Sequence, residues 1–128
     1  RDVLVGAALT GWKLYEVIIY DKKGNTIEGY CGFSITGRCG PIKYKRESII
    51  EKKLVANGPL CRYYKGEFFD EGEWDGSDFF VSKGLYYPII TKRAADVLQA
   101  HKITNMLLEP LSEVEVDISY VKPECVVP

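Results

Sequence analysis

Metal chemistry finds little material in this sequence. Of 128 residues one is histidine and one is methionine, and the four cysteines include no Cys-x-x-Cys pair. Structural zinc draws on closely spaced ligands, so Cys31, Cys39, Cys61, Cys125 and His101 predict no metal. A core of this size needs no disulfide staples, and the cysteines read as reduced thiols. A Cys31–Cys39 bridge is the one pairing that strand ends turning back on each other would allow. No apolar run approaches the roughly 20 residues that span a bilayer, so no membrane partner is expected. A formal charge of −1 gives no pull towards nucleic acid or anionic lipid. The basic patches "KYKRES" and "EKK" are punctuated by acids, and no nucleic-acid partner is expected. No glycine-rich dinucleotide fingerprint occurs, and no cofactor is expected. Neither end reads as a signal peptide, and reduced thiols make the expected location cytoplasmic.

What is present looks ordinary for a globular chain: 46% hydrophobic and 27% charged residues point to one domain over residues 1–128. An internal repeat stands out. "RDVLVGAALTGWKLYEV" and "ADVLQAHKITNMLLEPL" align without gaps through Asp2/Asp96, Val3/Val97, Leu4/Leu98, Thr10/Thr104 and Leu14/Leu108. In the second copy Ile90 ends a strand, Thr91 is an N-cap, and Lys92 to His101 carries helical spacing. Met106 to Leu108 then start another strand, stopped by Pro110. The alignment makes Arg1 to Ala8 the end of an equivalent helix and Trp12 to Tyr20 the strand that follows. It leads us to expect the remainder of a longer chain that lacks an N-terminal segment.

The middle is strand-rich. "KLYEVIIYD" suits a largely buried strand, "DKKGN" a hairpin turn, and "TIEGYCGFSI" its partner, with glycines that predict a bulge or a close backbone approach. "TGRCGP" is expected to break the ladder. "ESIIEKKLV" and "CRYYKGEFF" read as strands, "VSKGLYYPII" as a loop into the last strand, and "EVEVDISYV" as an edge strand. The fold class is α+β: mostly antiparallel sheet, one or two packed helices, two similar helix–strand units.

Three constellations could carry function. The stretch "GEFFDEGEWDGSDFF" gathers Asp70, Glu71, Glu73, Asp75 and Asp78 among aromatic rings, without Lys or Arg. Its order does not fit a calcium loop, and adjacent acids in one wet turn do not separate their pKa values as a glycosidase pair must. "WDGSD" reads as a tight turn: Asp75 caps backbone NH groups, Gly76 supplies the unusual φ, Ser77 or Asp78 closes it, and Trp74, Phe79 and Phe80 anchor its ends. Such a rigid acidic turn is also a docking element, so Asp70, Glu71, Glu73 and Asp75, flanked by Tyr86 and Tyr87, are the candidate partner contacts. "TGRCGPI" holds Gly37, Arg38, Cys39 and Gly40; it reads as a structural bend with Cys39 packed inside, or as an arginine-activated thiol. His101, the one imidazole, is placed near a helix end on or near the apolar stripe, where it caps carbonyls; a Cys–His dyad is disfavoured and no catalytic residue is assigned.

"GNTIEGYCGFSITGRCGPI", "GEWDGSDFF" and "PIITKRAADVLQAHKITNMLLEPLSEV" together resemble a family of bacterial immunity proteins from polymorphic-toxin systems. The resemblance covers most of Lys13 to Val116. It implies a protein encoded beside a toxin and neutralising it by binding, with no catalytic machinery. Two other readings stay open: a small adaptor that self-associates through the "EVEVDISYV" edge, and a cysteine-dependent enzyme.

Overall fold

Phe79 and Phe80 are neighbours in one strand and face opposite ways, as the period of a β-strand dictates. The fold is organised around that division. In a computed structural model describing residues 1–128, helix α1 (Asp2–Gly6) leads into β1 (Trp12–Tyr15), β2 (Ile19–Tyr20), β3 (Thr26–Ile27), β4 (Gly32–Ile35), β5 (Gly37–Cys39) and β6 (Tyr44–Lys45). Strands β7 (Ile49–Lys53), β8 (Leu60–Lys65), β9 (Phe79–Ser82) and β10 (Ile89–Ile90) precede helix α2 (Lys92–Ala100), and β11 (Glu115–Asp117) and β12 (Val126–Val127) close the chain. This is an α+β fold with mostly antiparallel sheet.

The central sheet has the order β10–β9–β5, so β9 is covered on both edges. On one face Phe79 packs with Leu4, Leu9, Ala94 and Leu98, which brings both helices into one cluster. On the other, Phe80 packs with Cys39, Ile42, Tyr44, Tyr64 and Ile89. The second sheet, β11–β8–β7, supplies Tyr64, with β11 at its edge as expected, although only Glu115–Asp117 of the "EVEVDISYV" stretch forms a strand and Ile118–Tyr120 is a 3-10 turn.

The repeat proves to be a helix ending. Leu9 N–H donates to the Leu4 carbonyl and Ala8 N–H to that of Val5; Ile103 and Lys102 make the same bonds to Leu98 and Gln99. These are Schellman caps, with Ala8 (φ 52°) and Lys102 (φ 55°) in the left-handed region that such caps require. After the caps the copies part. Trp12 enters β1, whereas Met106 to Leu108 form no strand, contrary to the sequence expectation. The first copy finds a partner in β4 and the second finds none.

Two further expectations need correcting. "TGRCGP" does not break the ladder: Gly37–Cys39 is a strand, parallel to β9 with Arg38 opposite Val81. Val81 and Ser82 belong to β9 rather than to a loop. The hairpin expected around "DKKGN" forms between β2 and β3. Asp21 accepts the N–H groups of Lys23 and Asn25, and Gly24 takes a φ of 85°. Tyr15 pairs with Gly32, yet Ile19, four residues on, pairs with Ile27, five residues back. That extra residue is a bulge in the returning strand, accommodated by Gly29 at φ 87°. At Gly32 a Cβ would overlap the Tyr15 ring, which is the close backbone approach that the glycines predict.

Candidate partner-binding site

The acidic stretch and the "TGRCGP" stretch form one unit. Arg38 N–H donates to Asp75 Oδ2 at 2.8 Å, and Asp75 N–H returns a bond to the Arg38 carbonyl at 3.1 Å. Asp75 Oδ1 also accepts the N–H and hydroxyl of Ser77, folding residues 75–77 into an Asx turn with Gly76 at φ 81°. The hydrogen bonds from Ser77, above all its hydroxyl, hold the Asp75 carboxyl below its ordinary range. Asp75 is therefore exposed but engaged, and its work is to fix the turn.

Ahead of that turn Asp70 caps a short 3-10 turn over Glu71–Glu73 by accepting the Gly72 N–H at 2.9 Å. Trp74 anchors the far end: its ring centroid lies 5.4 Å from that of Phe80 and 6.3 Å from that of Phe69. Its buried Nε1 has no acceptor. Glu73 lies against Gly40, where a Cβ would overlap its carboxylate. Asp70, Glu71 and Glu73 remain exposed, and the six ion pairs of the protein include none of them. A polar groove of about 390 Å³ runs beside the turn between Thr10, Gly11, Thr36, Gly37 and residues 75–77.

Asp78 turns away from this surface. It accepts the N–H and hydroxyl of Thr10, the Thr91 hydroxyl at 2.7 Å and Arg93 Nη2 at 2.7 Å. Arg93 continues to the carbonyls of Ala7 and Ala8, so one carboxylate ties the end of α1 to the start of α2. Thr91 meanwhile caps α2, accepting the Ala94 N–H. Asp78 closes no loop, unlike one expectation for it; it joins the two helix ends.

The tyrosine pair splits. Tyr86 is fully exposed, whereas Tyr87 donates its hydroxyl to Glu67. Glu67 also accepts the Tyr44 hydroxyl at 2.7 Å and is itself buried. Burial and then the Glu67 carboxylate push both tyrosine hydroxyls well above their usual range. Sequence reasoning missed Glu67, because alternation counted from buried Tyr64 places it outward, whereas Gly66 at φ 90° ends β8 and the side chain turns in.

The cysteine chemistry weighed for "TGRCGPI" has little geometry behind it. Cys39 is buried with its Sγ directed to the Gly40 carbonyl, and burial raises its thiol pKa. Arg38 donates its Nη1 to the Ile35 and Gly37 carbonyls. His101 is exposed at the end of α2, where its backbone N–H, not its ring, bonds to Val97. All four cysteines are free thiols, without the Cys31–Cys39 bridge. No three His, Cys, Asp or Glu side chains converge as a metal-holding group, and no helix is long and apolar enough to cross a membrane. We expect a maleimide to label exposed Cys31 at least about tenfold faster than Cys39 at neutral pH, since the thiolate is the reacting form. Mass mapping of the labelled peptides checks this, and equal rates would reopen an activated Cys39.

Comparison with protein-family models, curated proteins and solved structures returns no match to this chain.

Proposed function

We propose that this chain is an immunity protein that binds and neutralises a cognate bacterial toxin by steric and electrostatic occlusion, with no chemistry of its own. The observation that carries the reading is the acidic loop. Asp70, Glu71 and Glu73 project without ion-pair partners from a backbone fixed by the Asp75–Arg38 bonds and the Trp74 anchor. Unpaired charges of one sign on a preorganised support favour a basic partner surface, which they attract on encounter and meet with little loss of conformational entropy. The resemblance of the "TGRCGP" and "WDGSDFF" stretches to immunity proteins supports the same reading, since those stretches build this loop. Tyr86, fully exposed, is a candidate flanking contact; Tyr87 is half committed to Glu67.

The test is Glu71→Lys with Glu73→Lys against the toxin encoded beside this gene. We expect binding at low salt to weaken at least about tenfold, mostly through slower association, and the difference to shrink as salt rises. Thermal stability should change little, because neither side chain makes an ion pair. Unchanged affinity at low salt removes the loop from the interface.

A further inference from the structure

The hairpin that begins at Trp12 and ends at Ile35 is packed only at its base. There Trp12 stacks on Phe33 at 6.1 Å, and Phe33 meets Phe79 edge-on at 5.8 Å. Beyond the bulge it is bare: between Glu16 and Cys31 every residue except Val17 and Asp21 is exposed. The exposed side chains are not those of a solvated loop. Tyr15, Ile18, Tyr20, Ile27, Tyr30 and Phe33 stand between 42% and 69% open to solvent. A groove of about 380 Å³ lined by Leu14, Tyr15, Val17, Ile18 and Tyr30 runs along one side. An isolated two-stranded ribbon is marginal in water, and an exposed apolar patch of this extent marks an interaction surface.

We infer that this arm is a homodimer interface, covered by the arm of a second copy of the chain. Three features select that occupant. The first is area: four aromatic side chains of about 150–250 Å² each, roughly half of it open, together with the exposed isoleucines and the polar residues between them approach the roughly 800 Å² that one partner gives to a standard interface. The second is charge. The arm carries both signs, Lys13, Lys22 and Lys23 with Glu16 and Glu28, all exposed and none ion-paired within the chain. A two-fold axis can set each sign against the other, whereas the single-signed acidic loop repels its own copy. The third is the backbone. β2 and β3 pair only with each other, leaving a free edge on each side, and an antiparallel strand is self-complementary across a two-fold axis. The β11 edge has three residues and a Glu115 paired to Lys52, which makes it a poorer site for self-association.

Sedimentation equilibrium of the whole chain tests this without any toxin. We expect mass to rise with concentration from 14.5 kDa to twice that value. Ile18→Asp with Tyr20→Asp should weaken self-association by more than about tenfold while the melting temperature of the monomer holds. Tyr30→Ser provides a second, milder variant in case the double one disturbs the hairpin. Glu71→Lys with Glu73→Lys should leave the dimer intact, which separates this inference from the toxin-binding reading. A chain that stays monomeric at all concentrations overturns the inference, as does a dimer indifferent to the arm variants. So does a monomer whose arm variants lose toxin binding, which would give the arm to the toxin.

Discussion

Asp78→Ala should cost about 3 kcal/mol and lower the melting temperature by roughly 10 °C. The carboxylate is buried and accepts bonds from Thr10, Thr91 and Arg93, so alanine strands donors on both helix ends. The figure sits at the low end for a broken buried pair because the Arg93 side chain is 55% exposed and recovers water. The pH dependence carries its own signature. Burial alone would raise the Asp78 carboxyl; hydrogen bonds from Arg93, Thr91 and Thr10 outweigh it, and the net shift is downward. A carboxyl depressed in the fold contributes its full stabilisation above its unfolded value of about 3.9 and loses it as pH falls through the lower folded value. Asp78→Asn keeps the shape without that titration. The gap in melting temperature between parent and Asp78→Asn should therefore be widest near neutral pH and narrow below about pH 4. A gap that does not change with pH would show that the charge of Asp78 does not matter.

That node also marks how far the sequence could be read. Local chemistry was legible: Thr91 as an N-cap, the Asp75–Gly76–Ser77 turn, the "DKKGN" hairpin and the helix periodicity all follow from residues within a few positions of one another. The repeat was legible as similarity, and its physical content, two helix caps, needed the backbone. What distance hid was the partnership. Thr10 and Asp78 lie 68 positions apart, and Arg38 and Asp75 lie 37 apart. No local pattern announces that pairing, or the parallel β5–β9 ladder that it accompanies. Glycines misled for the same reason. In "TGRCGP" they suggest a break when read locally, but Gly37 and Gly40 are small because the acidic loop lies against them. In the acidic loop, sequence found the free acids, Glu71 and Glu73, together with Asp70, whose carboxylate also caps the Gly72 N–H. It did not separate them from Asp75, which the backbone consumes, or from Glu67, which the core consumes.

The lack of a side chain at Gly37 is what lets the two stretches meet, and Gly37→Ala should be among the most damaging single-methyl additions in the protein. The cost is steric, since the Gly37 φ is one that any residue adopts. A Cβ there would overlap both Ser77 Oγ and the Phe79 carbonyl oxygen. The hydroxyl can rotate away, but the carbonyl belongs to β9, held on both sides by β5 and β10, and cannot move without opening the sheet. Overpacking against fixed backbone costs about 3 kcal/mol, the upper end for an added methyl group. Gly76→Ala isolates the opposite term. It has open space around it and a φ of 81°, so it should cost only about 1–2 kcal/mol through backbone strain. Urea unfolding of these variants orders the two costs. If Gly37→Ala proves milder than Gly76→Ala, strand β5 does not press on β9 as closely as this geometry requires, and the acidic loop loses the support that makes it rigid.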